Sequence, residues 1–133
     1  MNLARMIHHR WAADEPLNRL LPAGRVFTGT SVTPAIPLAV ISRCHAQPAV
    51  QFADGGGLDT VGVRIELYDP SYDASQAVLD AVKRAFDRTS FELAGCGRVL
   101  YMRRTADHAH QEPDGTWRTT VEFDCTVLLD GNM

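Results

Sequence analysis

The sequence predicts an α+β fold, a two-layer sandwich in which a mainly antiparallel β-sheet carries two helices packed on one face. Two segments repeat apolar residues at helical spacing, and several others alternate apolar and polar residues with the two-residue period of a strand. No internal repeat, low-complexity segment or linker interrupts the chain. Its 133 residues suffice to bury one core. We therefore expect a single domain over residues 1–133.

The first predicted element is an amphipathic helix in "NLARMIHHRWAA". Its apolar stripe consists of Leu3, Met6, Ile7 and Trp11. The "DEP" at 14–16 interrupts this helix, because the residue before a proline is pushed out of the helical region. The following "LNRLL" is expected to add one more turn before Pro22.

The first half of the chain then predicts strands. "GRVFT" has the character of a short strand, and "GTSVTPAIPL" is expected to cross the surface as an extended connection through Pro34 and Pro37. The apolar residues 38–44 predict a buried strand, which "AVQFA" either continues or pairs with. "TVGVRIELYD" shows the clearest alternation, and Asp69-Pro70 ends it.

A second helix is predicted in "ASQAVLDAVKRAFDR", with Asp73 as its cap. Its apolar stripe consists of Ala74, Ala77, Val78, Ala81, Val82, Ala85 and Phe86. Two long strands follow, at 97–110 and 116–129. The "PDG" between them places proline and glycine where a hairpin turn needs them.

Three consecutive glycines in "QFADGGGLDT" raise the possibility of a phosphate-binding loop. Such a loop leads into the N-terminus of a helix, whose free N–H groups and dipole bind the anion. Here a predicted strand follows, and no lysine lies nearby. Gly55, Gly56 and Gly57 are therefore interpreted as the tip of a hairpin and as candidate residues for contact with another protein.

The residues that could support catalysis or metal binding form no recognisable set. His8 and His9 are adjacent on a helix and point apart, whereas His108 and His110 could share one face of a strand. Cys96, between glycines, is the best candidate for an exposed nucleophile. We expect no catalytic residue, no cofactor and no metal. A small enzyme or ligand-binding domain that uses Cys96 or the His108/His110 pair stands as the alternative from another class.

Charge and composition restrict the partners. The net charge is −3, so no general attraction to nucleic acid or to an anionic membrane is expected. No apolar run approaches the roughly 20 residues that span a bilayer, and the N-terminus lacks the apolar region of a secretory signal. The three cysteines form neither a CxxC pair nor an even-numbered framework, which is typical of reduced thiols.

The order of features resembles a known family. An N-terminal helix ends in "ADEPLNRLLPAGRVFTG", a proline-bearing "VTPAIPLAVISR" follows, and a glycine-rich gap precedes "VGVRIELYDPSYDASQAVLDAVKRAFD". The chain closes with "EPDGTWRTTVEFDCTVLL". This pattern resembles the small tail-terminator or tail-completion proteins of long-tailed bacteriophages and prophages, including minor-tail-like proteins of gene transfer agents.

The resemblance implies that the protein is a structural component of a phage or phage-like particle that is assembled in the bacterial cytoplasm. Proteins of this kind form rings, commonly hexamers, on the end of the tail tube, where they stop its polymerisation and meet the head connector. Self-association, the tail-tube protein and the head connector are the implied partners, and a head–tail adaptor is the neighbouring possibility. The charged strand positions suited to a polar lumen or a subunit contact are Arg64, Glu66, Arg118, Glu122 and Asp124.

Overall fold

The computed structural model describes residues 2–30, 35–93 and 97–130, and in it two helices precede three strands, a third helix and three more strands. The helices are α1 (Leu3–Ala13), α2 (Glu15–Leu20) and α3 (Tyr72–Phe86), with a short 3-10 turn at Ala23–Arg25. The strands are β1 (Val26–Thr28), β2 (Leu38–Gln51), β3 (Gly57–Asp69), β4 (Thr89–Leu93), β5 (Gly97–Gln111) and β6 (Trp117–Leu129). The segment "AVQFA" thus continues the preceding strand through Gln51.

The strands form one six-stranded sheet in the order β1-β2-β3-β6-β5-β4. Every neighbouring pair is antiparallel except β1 and β2, which run parallel. The predicted antiparallel sheet with helices is confirmed, but it is a curled half-barrel and not a simple flat two-layer sandwich, with 52% of the chain in strands. Register shifts in β2 and β5 supply a physical reason, because β-bulges bend long strands and increase their twist.

The helices pack on one face of the sheet, here called the inner face. Alternate residues of β3 and β6 point into the same buried cluster as the stripes of α1 and α3. Trp11 is fully buried, and its indole Nε1–H donates a hydrogen bond to the Leu21 carbonyl oxygen at 2.8 Å. This bond ties α1 to the end of α2. Leu3, Ile7 and Trp11 of the predicted stripe are buried in the core, and Met6 is partly buried against it.

Two details of α3 differ from the prediction. Its cap is Ser71, whose side chain accepts from the Ala74 N–H at 3.2 Å, and Asp73 lies inside the first turn. Ala74 and Ala77 are exposed, whereas Ser75 and Leu79 are buried. The buried stripe is therefore rotated toward the larger leucine side chain, because the sheet contacts that side of the helix.

Strand β4 was not predicted from the sequence. Arg88 has a φ of 61°, an unusual conformation for a side-chain-bearing residue, and it reverses the chain directly after α3. The five residues of β4 then pair with the start of β5. No helix within the described ranges is both long and apolar enough to cross a bilayer.

Candidate protein-contact surface

The face of the sheet opposite the helices, here called the outer face, carries the predicted charged residues. Strand register places Arg64 opposite Glu122, and Glu66 opposite Thr120. Arg118 lies opposite Tyr68. Alternation along β3 and β6 therefore brings all the charged positions singled out from the sequence onto one face.

Ion pairs connect these side chains across the strands. Arg64 approaches the Glu122 carboxylate Oε1 at 3.2 Å through both Nε and Nη2. Arg118 Nε lies 3.6 Å from Glu66 Oε2, and the Tyr68 hydroxyl donates to the same oxygen at 3.3 Å. Burial raises the pKa of Tyr68, and the negative charge of Glu66 adds to that rise, although Arg118 opposes it. The central charges are thus satisfied within one chain.

A row of polar groups crosses the outer face where β3 has no side chain. His45 of β2 pairs with Gly62 of β3, and Gly62 pairs with Asp124 of β6. The His45 ring occupies the space that a Cβ on Gly62 would need. Asp124 also lies opposite Arg103 of β5, with Nη2 and Oδ2 3.6 Å apart. His45 and Arg103 are contributors that sequence reasoning missed.

One end of the outer face is apolar. Val50, Leu58 and Leu128 are aligned across three strands, and Leu128 is opposite Arg98 of β5. Leu100 and Tyr101 of β5 are exposed near the same end. This part of the sheet extends beyond the helices, since residues 43–51 of β2 are exposed throughout.

The predicted glycine turn is present at this apolar end. The Phe52 N–H donates to the Gly56 carbonyl at 2.9 Å, the Gly55 N–H to the Phe52 carbonyl at 3.2 Å, and the Gly56 N–H to Asp54 Oδ1 at 2.9 Å. Gly55 has a φ of 95°, which favours glycine. Gly57 is already the first residue of β3.

The other end of the outer face forms an open groove of about 800 Å³. Leu38 and Val40 contribute apolar side chains to its lining, and Glu66, Glu112 and Asp114 contribute carboxylates. The predicted turn between β5 and β6 forms one wall, with the Gly115 N–H donating to the Glu112 carbonyl at 2.9 Å. Hydrogen bonds from Thr116 hold the pKa of Asp114 below its usual range.

The two-residue spacing places His108 and His110 on the same face of β5, as the sequence predicted. His108 lies opposite Thr120 and His110 opposite Arg118, and His110 Nε2 is 4.0 Å from Glu112 Oε2. No group of three possible ligands occurs among residues 2–30, 35–93 and 97–130. Cys96 and Pro34 lie outside the described residues. The geometry offers a surface of paired charges with an apolar end.

Comparison with known proteins gives two findings. The model of the family described as Tail completion protein gp17 matches residues 5–128. Among solved structures, a chain from "Virion of native gene transfer agent (GTA) particle" is similar at a TM-score of 0.71 and 17% identity, with 92% of this chain and 91% of that chain covered. No curated protein sequence matches.

Proposed function

The chain belongs to the family described as Tail completion protein gp17, and from that premise we propose that it forms a closed ring of identical subunits on the end of a tail tube. The family consists of structural phage tail proteins, so the chain is a virion assembly component and not an enzyme. In the proposed role a hexamer ends tube polymerisation and presents a surface to the head connector.

The observation that carries the proposal is the pair of free edges on opposite sides of the sheet. β1 pairs with β2 only as far as Ile41, and β4 pairs with β5 only as far as Met102. Beyond these points, no described strand pairs with the edge of β2 that faces away from β3, or with the edge of β5 that faces away from β6. A ring needs two different patches on opposite sides of one subunit, and uncovered strand edges are natural places for pairing with another chain.

The paired charges of the outer face suit the water-filled side of such a ring. Arg64, Glu66, Arg118, Glu122 and Asp124 all have oppositely charged partners within the subunit. They need no partner from a neighbour, and removing them from water would be costly. We assign them to a solvated lumen wall and the free edges to the subunit contacts.

The size of the assembly provides the first test. Mass photometry and negative-stain images over a range of concentrations should show closed rings. Because rings of this kind can require high concentration or the tube end to form, the measurement extends to protein mixed with purified tail tubes. Monomers under every one of these conditions would contradict the proposal.

Deletion of the gene in a strain that makes the particle distinguishes the role of a tail terminator from that of a head–tail adaptor. Loss of a terminator should give tails of uncontrolled length, because nothing stops the tube. Loss of an adaptor should give tails of normal length beside filled heads that are not joined to them. The second outcome would move the protein to the neck of the particle.

A further inference from the structure

Of the seven large apolar side chains that are exposed among the described residues, four lie at one end of the sheet. Val50 and Phe52 lie at the turn between β2 and β3, and Leu100 and Tyr101 lie on β5. Phe52 is 47% exposed and Tyr101 is 44% exposed. Apolar side chains clustered outside the core mark a binding surface more often than single ones do.

These two apolar pairs are at the same end but on opposite sides of the subunit. Gly57, next to the turn, and Gly97, at the start of β5, are both opposite Leu129 of β6. β3 and β6 lie between β2 and β5, which separates the two sides by about 14 Å, measured along the curled sheet at the usual strand spacing. Each pair is therefore free to contact a different neighbour.

The charges beside the two pairs are of opposite sign. Asp54 lies in the turn next to Phe52 and forms no ion pair with a described residue. Arg98 and Arg103 flank Leu100 and Tyr101, and their own ion pairs, with Glu92 and Asp124, are 3.6 Å long. Both arginine side chains are about half exposed. Complementary charge of this kind fixes the register of a contact.

We propose that the turn of one subunit (Val50, Phe52, Asp54) docks onto the β5 patch (Arg98, Leu100, Tyr101, Arg103) of a second copy of this chain. The inference rests on the proposed ring and adds a side-chain contact to those of the free edges, because Arg98, Leu100 and Tyr101 lie where β4 still covers the edge of β5. Phe52 packs against Leu100 and Tyr101, while Asp54 meets an arginine. The contact joins unlike surfaces, so its repetition around an axis gives a ring. Gly55, with its positive φ, allows the chain to reverse directly after Phe52.

Cysteine cross-linking tests the contact directly. A Phe52→Cys, Tyr101→Cys chain is prepared with Cys44 and Cys96 changed to serine, and mild oxidation is followed by denaturing electrophoresis. Contact between unlike surfaces predicts a ladder of covalent multimers up to the ring size. The Leu20→Cys, Tyr101→Cys chain serves as the matched control and should give no ladder.

Substitutions measure the strength of the same contact. Phe52→Ser and Tyr101→Ser should each raise the concentration for half-maximal ring formation by about tenfold or more, because aromatic anchors dominate interfaces. Leu20 on α2 is 49% exposed, and Leu20→Ser should leave assembly unchanged. Asp54→Asn keeps an acceptor for the Gly56 N–H while removing the charge, so it should weaken assembly more at low salt than at high salt.

The outcomes separate this inference from the proposed function. Rings that form normally from Phe52→Ser and Tyr101→Ser chains, without a cross-linked ladder, would overturn the contact but leave the ring. Normal rings that fail only to join tubes or connectors would assign the turn to another virion protein. A wild-type chain that stays monomeric on its own and on tubes would contradict both proposals.

Discussion

The imidazole of His45 lies over Gly62 and reaches toward Asp124 on the next strand, with Nε2 3.9 Å from Oδ1. Glycine within a strand normally weakens it, because no side chain packs there and more backbone freedom is lost on folding. At this position the missing side chain opens a passage across β3. A polar contact thus spans two strands that are not neighbours in the sheet.

Gly62→Ala should displace the His45 ring, because the new Cβ would occupy its place. The free energy of unfolding should change by no more than about 1 kcal/mol, since an exposed ion pair contributes little and alanine favours the strand. NMR signals of the His45 ring should shift. Gly24→Ala is the matched control, because nothing lies within 4 Å of a Cβ there. An unchanged His45 spectrum in the Gly62 variant would refute the described contact.

Arg64→Glu should destabilise the sheet by about 1 kcal/mol, because it places two carboxylates opposite each other across β3 and β6. Combining it with Glu122→Arg should restore most of the loss. Urea unfolding of the single and double variants gives the interaction free energy between positions 64 and 122. Repeating it at low salt and at about 1 M salt shows how strongly salt screens that interaction. Arg19→Glu, at a far more exposed pair with Glu15, should cost less. Fully additive effects at Arg64 and Glu122 would show that the pair is not coupled.

Ser71→Ala should lower the free energy of unfolding by about 1 kcal/mol, because the helix loses the side chain that accepts from the Ala74 N–H. Asp73→Ala removes only a favourable charge in the first turn and should cost a few tenths of a kcal/mol. Thermal and urea unfolding of both variants gives the ranking. A larger loss at Asp73 would instead favour the cap predicted from the sequence.

Cys125 should stay unreactive toward alkylating reagents while the chain is folded, whereas the exposed Cys44 should react.

Burial raises the pKa of the Cys125 thiol from 9.0 to about 12. The folded state therefore favours the neutral thiol, and this contribution to stability is complete below pH 9.0 and is lost as the pH rises toward about 12. Unfolding at alkaline pH should show a weaker pH dependence in Cys125→Ala. An identical dependence would exclude this thiol as its source.

The sequence was informative where regular alternation continued without interruption. The period of two in β3 and β6 was enough to place Arg64, Glu66 and Glu122 on the outer face, because these strands pair without a register shift. The glycine turn could likewise be assigned, since the apolar pattern continued as a strand on its far side. The helical stripe of α1 was sufficient to identify Trp11 as core.

The rest depended on features that leave no pattern in a single chain. Bulges in β2 and β5 shift the face to which later residues point, so the alignment of His45 and Arg103 with Asp124 required the three-dimensional register. The same bulges account for the curl of the sheet. β4 escaped prediction because it is short and directly follows the reversal at Arg88.

The hairpin turns at residues 52–56 and 112–116 point in opposite directions, since the first precedes Gly57 and the second precedes Trp117, which pairs with Asp69. Thirteen residues of β3 separate them, a span of about 40 Å. One extremity is apolar, and the other carries the groove lined by Leu38, Val40 and three carboxylates. A subunit built this way has two unlike ends, so any stack that contains it acquires a direction.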